Sequence, residues 1–101
     1  MEVIKRGKVL HSPFFIVRVL SDAQNKLPSK LASVVPVKIG KTSAIRHLVR
    51  RRMYESVRTL MRRINPGHLI ILFAKLPALK SKPSAMSIDI EPVFVKAGLL
   101  R

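Results

Sequence analysis

The first long apolar stretch is Phe14–Leu20, FFIVRVL, which follows Ser12-Pro13 and is rich in aromatic and β-branched residues. This composition predicts a strand beginning after Pro13, since proline suits the first position of a strand. Residues 1–12 are short, basic and broken by Gly7, whereas residues 21–29, SDAQNKLPS, predict a loop. Lys30–Ile39, KLASVVPVKI, predicts a second strand. The hairpin-length loop between them predicts an antiparallel pair, and Pro36 points to an edge position or a bulge.

The periodicity then changes. Gly40-Lys41-Thr42-Ser43 reads as a turn and a helix start, with Thr42 or Ser43 able to accept a hydrogen bond from an early helical N–H. The helix is predicted to run to about Ile64, ahead of the breaker Asn65-Pro66-Gly67. At about 100° per residue, Ile45, Leu48, Val49, Met53, Leu60 and Ile64 share one stripe. Arg46, His47, Arg50, Arg51, Tyr54, Arg58 and Arg62 fill a neighbouring face. His68–Lys75 is almost continuously apolar and predicts a central third strand. Residues 76–84 read as a loop. Asp89–Leu100 reads as a short closing helix with Ile90, Val93, Phe94 and Ala97 on one side, and Pro92 fits only in its first turn. The order β-β-α-β-α predicts an α+β fold, a two-layer sandwich forming a single domain over residues 1–101.

Charge changes the picture most. Lys and Arg number 20 against 5 Asp and Glu, a net charge of +15, so most of the cations have no carboxylate to pair with. Such an excess repels itself in a compact state and points to a polyanionic partner. The 48% apolar content argues against a disordered basic tail. The absence of Cys excludes disulfides, thiolate metal sites and a Cys nucleophile. The longest uncharged apolar run, Leu69–Ala74, is far too short to span a membrane. No signal-peptide apolar region follows the first charges, and the early Glu2 and sparse Ser disfavour a transit peptide, so a cytoplasmic setting is expected.

The densest chemistry is Ser43–Arg58, SAIRHLVRRRMYESVR. Arginine offers phosphate a planar fork of donors and can stack on bases. A merely solvated face laced with ion pairs fits less well, because Glu55 is the only acidic residue in that stretch. Catalysis by the polypeptide is not expected. Glu2, Asp22, Glu55, Asp89 and Glu91 are scattered, whereas a metal-dependent nuclease needs converging carboxylates. Asp89 and Glu91 read better as favouring a helix N-terminus. His11, His47 and His68 lack metal-ligand spacing; His47 could contact phosphate, and His68 reads as a plain loop residue. Phe14 and Phe15 either both pack inside or divide, one lining a nucleic-acid groove with Ile16 and Arg18.

In this order the chain resembles the protein subunit of bacterial ribonuclease P. The resemblance rests on Gly7-Lys8, Phe14-Phe15-Ile16-Val17, Lys38-Ile39-Gly40-Lys41, the helix pairs Arg46-His47, Arg50-Arg51 and Tyr54-Glu55, and the strand Leu69–Phe73 followed by Pro77. His47 stands where the signature has Asn, Tyr54 where it usually has Arg, and His68 where Asp is common. The family's N-terminal helix, with its aromatic residues, is expected to be missing. The resemblance implies a left-handed β-α-β crossover, against the general right-handed rule. It implies that an RNA subunit performs the hydrolysis with Mg²⁺ held by RNA and substrate, and that the protein assists removal of 5′ leaders from precursor tRNA. The expected partners are that catalytic RNA and precursor tRNA, with the protein a monomer in a 1:1 ribonucleoprotein. Lys38, Lys41, Arg46, His47, Arg50, Arg51, Tyr54 and Arg58 are expected to face RNA. Phe14, Ile16 and Arg18 are expected in a cleft for the single-stranded leader, with Phe15 and Val17 in the core. The rival readings are a small ribosomal or other structural RNA-binding protein, a DNA-binding protein with its helix in the major groove, and a polypeptide-only nuclease.

Overall fold

The computed structural model describes residues 7–21 and 28–100, with Ser21 described by its backbone alone. Its strands are β1 (Lys8–His11), β2 (Phe15–Ser21), β3 (Lys30–Val34) and β4 (His68–Ala74). Among the described residues the α-helices are α1 (Ser43–Met61) and α2 (Pro83–Lys96), with a short 3₁₀ helix at Leu76–Lys80. The sheet order is β1-β2-β4-β3. β2 is antiparallel to both β1 and β4, and β3 is parallel to β4.

Two expectations about the sheet are thereby corrected. Lys8–His11 is a strand, although its short basic sequence carries little strand signal. β3 does not form a hairpin with β2, because the uniformly apolar β4 takes the central place between them. β3 reaches β4 through α1 in a β-α-β crossover, and as the outer strand it stops at Val34, short of Pro36. The predicted 21–29 loop lies mostly outside the described residues.

Alternation sorts the sheet into two faces. Phe15, Val17 and Val19 of β2 and Ile70, Leu72 and Ala74 of β4 are buried on the helix-covered face. Val49, Met53, Val57 and Leu60 of α1 and Met86, Ile90, Val93 and Phe94 of α2 complete the core. Ile45 and Leu48, predicted for that stripe, are instead 40% and 46% exposed. Leu48 lies about 100° around the helix from the buried Val49 and turns away from the packed face, and Ile45 sits at the margin of that face, so the buried side is carried by Val49, Met53, Ser56, Val57 and Leu60.

The second helix starts six residues before Asp89, with Pro83 at its first turn. Proline at that position gives up an N–H that would be unpaired in any case. Pro92 sits in the interior, not the first turn. The carbonyl it leaves free belongs to Ile88, whose side is 75% exposed, so water can satisfy it. The helix closes in a Schellman motif: Leu99 N donates to Phe94 O at 3.1 Å and Gly98 N to Val95 O at 3.0 Å. Gly98 takes the left-handed φ of 73° that this cap requires.

Candidate nucleic-acid interface

The start of α1 is fixed by short-range bonds. Thr42 is the N-cap, its hydroxyl accepting from Ile45 N at 3.1 Å. Ahead of it, Ile39 N and Gly40 N both donate to Pro36 O at 3.0 Å, folding residues 36–40 into a turn. This turn carries Lys38 and Lys41, both exposed, to the N-terminal end of α1. Arg46 folds back, its Nη1 donating to Gly40 O at 2.7 Å. It therefore braces the turn as well as contributing charge. His47, Arg51, Tyr54 and Arg58 are exposed, and Arg50 is half-buried at the edge of the same face. Glu55 pairs with Arg58 at 3.5 Å, but both side chains are well exposed, and such a pair neutralises little of the face.

The sheet face opposite the helices is a second surface. Its cross-strand rows follow from the register: His11–Ile16–Phe73–Val34, then Val9–Arg18–Ile71–Ala32, then Leu20–Leu69–Lys30. Every described residue in these rows is half-buried or exposed. An apolar floor with Arg18 in its middle row and Lys30 and His11 on its outer strands is thus left uncovered by α1 and α2. β3 ends at Val34, and the chain turns from there into α1, so the first row and the basic start of α1 lie at the same end of the sheet.

Ile16 and Arg18 therefore share this face. Phe14 lies ahead of β2, half-buried against the core, its ring edge-on to Phe15 at 6.3 Å. Phe15 and Val17 are fully buried. Sequence reasoning passed over Phe73, Ile71, Leu69 and Val34. Their signal was the parity of β4, an apolar strand whose alternate residues must emerge on the face that carries Ile16.

The described carboxylates each have a partner of their own. Asp89 accepts from Ser12 Oγ at 2.5 Å, Glu91 pairs with Arg63 at 3.2 Å, and Glu55 is held by Arg58. Among the described residues no three His, Asp or Glu converge on a common point. His68, the first residue of β4, has its imidazole pKa held below the ordinary 6.5, by burial first and then by the charge of Lys8. Its backbone N–H donates to Ser29 Oγ, which in turn donates to Asn65 O, tying the start of β3 to the turn after α1. Among the described residues no helix is long and apolar enough to cross a membrane.

An α+β domain with one basic helix face beside an apolar sheet face that its described helices leave open is a nucleic-acid-binding module in its class. The sequence profile of the ribonuclease P protein family, described as Ribonuclease P, matches residues 1–98, and the chain belongs to that family. It is 29% identical over 99 residues to the ribonuclease P protein component of Symbiobacterium thermophilum, covering 98% of this chain and 84% of the relative. The fold matches the ribonuclease P protein of Staphylococcus aureus with a TM-score of 0.79 at 20% identity, over 99% of this chain and 89% of that one. It matches the ribonuclease P protein of Thermotoga maritima with a TM-score of 0.75 at 20% identity, over 94% and 87%.

Proposed function

We propose that this chain is the protein subunit of ribonuclease P and assists removal of 5′ leaders from precursor tRNA. The carrying observation is the face of α1. Arg50, Arg51 and Arg58 lie there with His47 and Tyr54, flanked by Lys38, Lys41 and the anchored Arg46. This face binds the RNA subunit. The uncovered sheet face, with Ile16, Arg18 and Phe73, receives the single-stranded leader, whose bases stack on aromatic and apolar side chains while cations meet its phosphates. Hydrolysis belongs to the RNA subunit, with Mg²⁺ held by RNA and substrate. The described carboxylates, Glu55 paired with Arg58, Glu91 with Arg63 and Asp89 bonded to Ser12, support that division, since phosphoryl chemistry on a protein uses carboxylates to gather its metals. One protein binds one RNA.

The test is binding to a bacterial ribonuclease P RNA across a salt series. With about 6–10 phosphate contacts, affinity is expected to fall by about 10³–10⁵ between 50 and 200 mM salt. Arg50→Ala is expected to weaken binding and lower the log–log slope by about 1, with an unchanged cooperative melt. A flat salt titration would refute the phosphate-dominated interface.

A further inference from the structure

Between α1 and the outer strand β3 lies an open groove of about 580 Å³, a size that suits a small molecule rather than a helix or a duplex. Leu31, Val57 and Met61 give it apolar walls, and Tyr54, Arg51 and Arg58 surround them. Val57 and Leu31 belong to or pack against the core, so the floor is rigid. Tyr54 is 47% exposed, leaving much of its ring available. Glu55 also borders the groove, but its charge is directed to Arg58.

We infer that this groove takes one unpaired nucleotide of the RNA bound by α1. The base lies against Leu31, Val57 and Met61 and stacks on Tyr54, and Arg51 and Arg58 meet its phosphate. An apolar floor, one aromatic ring and two guanidiniums are the elements that hold an extruded base. A peptide strand or an apolar ligand would have no use for two guanidiniums at the rim, of which Glu55 offsets only that of Arg58. The inference rests on the reading of α1 as an RNA-binding face, and names what one part of that face holds.

The chain supplies its own probe. Tyr54 is its only tyrosine, and it has no tryptophan, so tyrosine emission reports on this groove alone. Titration of the intact chain with a bacterial ribonuclease P RNA is expected to quench that emission in step with binding measured independently by filter retention. Tyr54→Ala is expected to weaken binding about 5- to 150-fold without changing the salt slope, because a stack carries no counterions. Tyr54→Phe is expected to recover the lost affinity, and Arg51→Ala to lower the slope by about 1. RNA binding with unaltered tyrosine emission would overturn the inference while leaving the RNA-binding reading intact. So would a Tyr54→Ala variant that binds as tightly as the parent. Failure of the intact chain to bind the RNA at all would instead remove the reading beneath it. The emission measurement needs no variant to fold.

Discussion

Adding a single carbon at Gly40 probes how the basic helix is anchored. A Cβ there would lie 2.7 Å from Cγ of Arg46 and 3.1 Å from a methyl of Val35, against ordinary carbon contacts of about 3.5–4.0 Å. Arg46 Cγ is close to its own backbone and cannot swing far, and Arg46 Cα already lies in ordinary contact with the added carbon at 3.5 Å. Relief requires moving the Arg46 side chain, which strains the 2.7 Å bond from Nη1 to Gly40 O, or shifting the first turn of α1. Overpacking of this kind costs about 1–3 kcal/mol. The reduced entropy of the unfolded chain returns about 0.4–1 kcal/mol. A net loss of about 1–2 kcal/mol corresponds to a drop in Tm of about 5–15 °C for a domain of this size. Gly40→Ala is therefore expected to melt earlier in a thermal scan followed by circular dichroism and to bind RNA more weakly, since Lys38, Lys41 and Arg46 depend on the same turn. A variant that melts at or above the parent temperature would refute the close approach as the reason for glycine here.

Three further outcomes are expected. Phe73→Ala should weaken binding of a single-stranded leader about 5- to 150-fold while leaving affinity for the RNA subunit unchanged, as measured by competition with leaderless tRNA. Asp89→Asn, Glu91→Gln and Asp22→Asn, the last at a position outside the described residues, should each leave the cleavage step within a few fold at saturating protein; a persistent loss of orders of magnitude would return the chemistry to the protein. Stability should decline as pH falls below about 6.5, because unfolded His68 takes up a proton there while the folded imidazole resists it; His68→Gln should flatten that slope in urea denaturation, and equal slopes would contradict the assignment.

What was legible in the sequence was local. The 3.6-residue period located α1 and the β-branched runs located β2 and β4; alternation left Phe14 and Phe15 open, and the family resemblance implied Phe15 and Val17 in the core. Pairing was less legible, because chain order favours a β2–β3 hairpin and only the apolar character of both faces of β4 argues for its insertion between them. Pro92 misdirected the start of α2, since its cost depends on whether the freed carbonyl meets water, which is a tertiary fact. Ile45 and Leu48 widen the apolar stripe around the helix beyond Val49, and the sequence does not register where the buried arc ends. Within the interface, the arginines were visible as a charge excess on one face. The bracing of Gly40 by Arg46 and the cross-strand row through Phe73 required the register.

The central claim is that this chain serves a catalytic RNA rather than acting as a nuclease itself. The direct measurement is cleavage of a precursor tRNA at low Mg²⁺ by a bacterial ribonuclease P RNA, with and without the chain, and by the chain alone. Release of the 5′ leader at the mature terminus is expected to rise markedly when the protein is added to the RNA, and to be absent with the protein alone. Cleavage by the protein alone, or RNA-dependent cleavage indifferent to the protein, would contradict the account.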